Sequence, residues 1–174
     1  MSAVIVFVAS SVLHMVLKLH RADYQKLPGE EQILTSMRQA GVEPGNYMFP
    51  HSSDPAEMAS PEVKAKFEQG PVGFVNVMPS GPPAMGRSLG LWFLYSVVVG
   101  VFVAYLAGRT LRPGADYLAV FRVVGTASFL SYGLPNLVDS IWKAQRWSTS
   151  LRHLFDGLVY ALLTAGVFGW LWPA

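Results

Sequence analysis

The hydrophobic pattern divides the chain into three stretches. An apolar run, Ser2 to Leu17, opens it and is closed by Lys18, His20, Arg21 and Lys26. The run is short against the about 20 residues that a spanning helix needs, but a lysine at its end can extend its ammonium into the headgroups. It predicts a first transmembrane helix over residues 1–18. Residues 19–87 are rich in proline and glycine and hold only short periodic segments. From 88 onward the pattern turns apolar again. Ser88 to Gly108 is free of charge between Arg87 and Arg109, a second stretch runs over 115–141, and a third over 153–172 ends on Trp170 and Trp172. Paired tryptophans at a helix end suit the membrane–water interface. The prediction is an all-α integral membrane protein: four transmembrane helices (1–18, 88–108, 115–141 and 153–172), with a small Pro/Gly-rich cap, 19–87, between helices one and two.

Inside the cap, Pro28 to Ala40 predicts a short helix. Pro28 suits a first turn, Glu30 and Glu31 lie at its positive end, Arg38 lies near its negative end, and Gly41 stops it. Pro61 to Gln69 predicts a second helix, with Ser60 as N-cap. Phe74 to Met78 reads as a strand paired with Tyr47 to Phe49, a ribbon too small to be stable alone. In helix three, Pro135 deprives the Ser131 carbonyl of its helical partner, which predicts a kink near Gly133 to Pro135.

Composition agrees with a membrane chain: 52% of residues are hydrophobic and 14% charged. The net charge is +2 with no basic run, so the bilayer and membrane partners are expected and nucleic acid is not. The absence of cysteine excludes thiolate metal sites and cysteine nucleophiles. Counting Lys and Arg orients the chain. Lys18, Arg21, Lys26, Arg38, Lys64, Lys66, Arg87, Lys143, Arg146 and Arg152 fall on one face, and Arg109 and Arg112 on the other. The positive-inside bias then predicts a cell-membrane protein with a cytoplasmic cap and both termini outside.

Small residues recur at every fourth position in two helices, Ser96, Gly100, Ala104, Gly108 and Gly157, Ala161, Ala165, Gly169. Such stripes let helix backbones approach closely in lipid. They predict two packing faces, with helix two on helix four as one available pairing and partner chains as another.

Candidate chemistry is sparse. Arg122 is an intramembrane charge in helix three, a functional candidate by default that can also reach the interface with its guanidinium. At the cytoplasmic helix ends, Asn136 and Asp139 share one helix face and His153 and Asp156 another, with His14 at a similar depth. Two imidazoles and two carboxylates suit a divalent metal or a proton relay, but the spacing matches no metal motif. The expectation is structural ion pairing with Lys143 or Arg152, no metal and no cofactor. With no phosphate loop, hydrolase elbow or nucleotide fingerprint, the expected role is an accessory or assembly subunit of a membrane complex, or a homo-oligomer. The alternatives are a small transporter or channel and, last, a metal- or haem-dependent membrane enzyme using His14, Asp139, His153 and Asp156.

Overall fold

A computed structural model describes residues 1–173 and is mostly helical. The chain forms two compact units, residues 25–82 and residues 1–24 together with the chain from Pro83 onward.

The 25–82 unit is small and polar. Helix α2 (Glu30–Gln39) follows Gly29, whose φ of 65° glycine adopts without strain, and ends before Gly41. Strand β1 (Gly45–Phe49) is followed by a short helix, α3 (Pro55–Met58), which the hydrophobic pattern did not indicate; the Asp54 carboxylate caps it by accepting from the Glu57 amide. Helix α4 (Pro61–Gln69) has the expected bounds, and the Ser60 hydroxyl accepts from the Val63 amide. Strand β2 (Gly73–Val77) pairs antiparallel with β1, Tyr47 opposite Val75.

The larger unit is a helical bundle. Helix α1 (Ser2–Val16) is α-helical through Ser11 and then relaxes into a π-helical turn, Val12–Val16, closed by the Leu17 amide donating to the Val12 carbonyl at 3.0 Å. Helix α5 (Met85–Thr110) is 26 residues long, about 39 Å at the helical rise and enough to cross about 30 Å of hydrocarbon. Helix α6 (Tyr117–Tyr132) ends at a 3₁₀ turn, Leu134–Leu137, after which α7 (Val138–Trp142) resumes the same stretch. Helix α8 (Trp147–Trp170) completes the bundle. Among the described residues, three helical stretches are long and apolar enough to cross a membrane, Met85–Thr110, Tyr117–Trp142 and Trp147–Trp170; Ser2–Val16 is a shorter apolar helix.

The break after α6 follows from Pro135. The freed Ser131 carbonyl accepts from the Tyr95 hydroxyl at 2.9 Å, and the Asn136 amide nitrogen donates to the Tyr132 and Gly133 carbonyls at 2.7 and 2.9 Å. Side chains thus replace the helical bonds that the proline removes.

The core is built from Val6 and Leu13 on α1, Val99, Val103 and Ala107 on α5, Val120, Val124 and Tyr132 on α6, and Tyr160 and Ala165 on α8. The small-residue stripes meet different partners from the pairing weighed above. The α8 stripe lies on α6: a Cβ on Gly157 would fall 2.4 Å from the Gly133 Cα, and Ala165 Cβ lies 3.3 Å from where a Gly125 Cβ would stand. Tyr117 covers Gly169, and Ala161 is buried. On α5, Ser96 is buried and Gly100 faces Ser2 of α1, whereas Ala104 is exposed and Gly108 has open space at its Cβ position. The close backbone contact is therefore α6 with α8, and the α5 stripe is half occupied, by α1.

Candidate metal centre

Two elements carry the site. Helix α8 starts at Trp147, six residues before the predicted start, so Arg152 stands on the same helix as His153 and Asp156 rather than in the expected basic loop. The N-terminal segment supplies the rest. The π turn holds His14, whose Nδ1 lies 3.1 Å from the Ser10 carbonyl. Lys18 then takes a left-handed φ of 54°, a conformation that costs a non-glycine residue on the order of 1 kcal/mol. The chain reverses there, and His20 and Asp23 return to α8.

The resulting cluster is dense. His20 Nδ1 is 2.6 Å from Asp23 Oδ2, and His20 Nε2 is 2.8 Å from Asp156 Oδ2. His14 Nε2 lies 3.6 Å from the same Asp156 oxygen, and His153 Nε2 lies 3.9 Å from Asp23 Oδ2. The Arg152 Nε donates to Asp23 Oδ1 at 2.8 Å. The His14 and His20 rings stack at 4.1 Å with planes 2° apart, and His153 lies 4.9 Å from His20. Both aspartate side chains are 3% exposed, against 42% for His14 and 35% for His153, so the cluster opens past His14 and His153.

Electrostatics makes this arrangement incomplete. Two buried carboxylates face one guanidinium, and a buried uncompensated charge is costly. Burial alone would push the Asp23 carboxyl up, but the bonds from His20 and Arg152 outweigh it and hold the group below its ordinary range. Asp156 has no such donor. Neither of its oxygens has a hydrogen-bond partner, and neither does His20 Nε2, although the two residues approach to 2.8 Å. A ring nitrogen and a carboxylate oxygen this close need a cation on the nitrogen's side, either a proton that makes the pair an ion pair or a metal ion that both atoms ligate.

One donor atom each from His14, His20, His153 and Asp156 can be chosen so that all lie within 4.8 Å of one another. Ligands of a tetrahedral zinc ion stand about 3.4 Å apart, from bond lengths of about 2.0–2.1 Å. Small side-chain rotations would close that gap. Three imidazole nitrogens and one carboxylate suit a first-row divalent cation. Asp23 stands behind His20 as the carboxylate that fixes the tautomer of a metal-ligating histidine.

Of the candidates read from the sequence, the structure brings together His14, His153 and Asp156. It separates Asn136, which bonds to the α6 terminus, and Asp139, which pairs with Lys143 at 2.8 Å. Each is taken by a local partner on its own side of the 3₁₀ turn, so the two do not form one site with the histidines. The expected hold of His153, Lys143 or Arg152 on the two aspartates is met for Asp139 by Lys143, whereas Asp156 meets His20 and His14 and Arg152 is held by Asp23. Arg122 is exposed on α6, away from the cluster. His20 and Asp23 did not stand out in the sequence because they read as a headgroup-facing flank. The spacing His-x-x-Asp occurs three times, at His20–Asp23, His51–Asp54 and His153–Asp156, so it did not single out the site by itself. No family model matches the chain, and no curated protein or solved structure does.

Proposed function

We propose that this protein is a multi-pass membrane metalloprotein that holds a divalent transition-metal ion with His20, His153, Asp156 and His14. The observation that carries the reading is the 2.8 Å approach of His20 Nε2 to Asp156 Oδ2 with no hydrogen bond on either atom. A divalent cation ligated by both atoms would take the place of the proton of an imidazolium–carboxylate pair. The parallel stacking of His14 on His20 lets only one of these rings aim its lone pair at a given ion without turning. Three protein ligands and a changeable fourth position would be the pattern of a catalytic rather than a structural zinc site. A bound ion of this kind lowers the pKa of coordinated water and polarises an oxygen ligand. The chain's own contributions are orientation and charge: Asp23 and Arg152 hold His20, Asp156 neutralises, and His14 and His153 border the opening.

In this reading α1 is a short fourth span, packed on α5 and α8, with the 25–82 unit cytoplasmic and both termini outside, as the positive-inside bias favours. The accessory-subunit reading is supported by one observation, the unoccupied outer half of the α5 stripe at Ala104 and Gly108. A partner helix there is compatible with the metal site.

Metal analysis of the purified full chain tests the proposal. The expected result is one equivalent of a first-row transition metal, lost in His20→Ala and Asp156→Asn and retained in Asp139→Ala. Substoichiometric metal, together with failure to compete for Zn²⁺ against a chelator of micromolar affinity, would contradict it.

A further inference from the structure

A groove on the exposed side of α8 borders the cluster. It is lined by Leu19, Ser148, Leu151, Arg152, Phe155 and Asp156 and encloses about 310 Å³, near the lower limit for ligand pockets. Arg152 and Asp156 also belong to the cluster, so the groove and the candidate metal centre share a wall. Leu151 and Phe155 continue into the exposed Leu158 and Leu162, an outward apolar stripe of the kind that meets acyl chains in a spanning helix. The site therefore has two approaches, one past the exposed imidazoles of His14 and His153 and an apolar one past Leu19, Leu151 and Phe155.

Formal charge selects the head of the ligand. Asp23 and Asp156 carry −1 each and Arg152 carries +1. With neutral imidazoles the empty cluster is therefore −1, and a divalent ion makes it +1. Loading thus shifts the cluster by two positive charges, and an anion is drawn to the loaded site more strongly than to the empty one. We infer that the ligand of this site is an anionic amphiphile taken from the bilayer, with an acyl chain in the groove and a phosphate-type head at the loaded cluster. This inference rests on the metal reading above and adds the substrate class.

The test uses the full chain in non-ionic detergent, loaded with Co²⁺, and reads the visible spectrum of the bound ion during titration with ethyl phosphate or decyl phosphate. The expected result is that decyl phosphate perturbs the spectrum at a concentration about tenfold lower or more, because several methylenes are buried. In Phe155→Asn the two ligands should become nearly equivalent. Partition of decyl phosphate into micelles is the same for both proteins, so it cannot produce that difference. If Phe155→Asn does not fold, Leu151→Asn serves in its place. Equal potency of the two phosphates in the unsubstituted chain would point to free phosphate and overturn the inference. An unchanged ratio in the groove variants would also overturn it, while the cobalt spectrum still stood for the metal reading. Absence of any cobalt spectrum would instead bring down the metal reading, and this inference with it.

Discussion

Asp23 acts on the site through His20, and its bonds give it two measurable signatures. Its carboxyl is held below the ordinary range by His20 and Arg152 in spite of burial. A depressed carboxylate contributes stability above its unfolded pKa and loses it as the pH falls through the folded value. Thermal stability of the metal-free chain should therefore decline below about pH 4, and Asp23→Asn should flatten that acid limb, as melting followed across the acid range will show. The same substitution should weaken metal affinity about 10- to 100-fold, the usual cost of removing a carboxylate behind a ligating histidine. An unchanged affinity would mean that His20 needs no such support. At this scale the sequence was half legible. His14, His153 and Asp156 could be grouped by depth and helix face, whereas His20 and Asp23 depend on a chain reversal at Lys18. A left-handed lysine leaves no mark in a hydrophobicity pattern, and the His-x-x-Asp spacing also occurs at His51–Asp54, outside the cluster.

Elements were more legible than their neighbours. Prolines, glycines and charge-free runs marked α2, α4, α5 and the break at Pro135, because each acts through local backbone chemistry. The start of α8 was missed by six residues, since Trp147 to Arg152 is polar on the turn that bonds Ser140, Gln145 and Asp23. Which helix a small-residue stripe meets is a tertiary matter, and there α6 takes the face of α8 that α5 might equally have filled by spacing alone. Contact distances turn this into a prediction. Gly157→Ala places a methyl against the Gly133 backbone, which cannot move aside as a side chain tip can. It should destabilise the bundle by about 1–3 kcal/mol, as overpacking does. Gly108→Ala meets open space and should be neutral or stabilising by up to about 1 kcal/mol from helix propensity. Thermal unfolding of both variants in one detergent compares them directly, and equal effects would show that the α6–α8 contact is not close.

For the whole molecule, apolar length, charge bias and a polar N-terminal cluster converge on a membrane protein with its chemistry near one interface. The proposed topology has a direct test, because the chain has no cysteine of its own. In intact cells an impermeant thiol reagent should label Pro113→Cys and spare Ser80→Cys; the reverse pattern would invert the orientation. The central claim concerns the ion between His20 and Asp156. X-ray absorption of the Zn²⁺-loaded full chain reads its ligands most directly. The bound ion should show a first shell of nitrogen and oxygen at about 2.0–2.1 Å, with outer-shell scattering from two or three imidazoles that falls by one ring in His20→Ala. A shell of oxygen alone, or an imidazole signal that His20→Ala leaves unchanged, would contradict it.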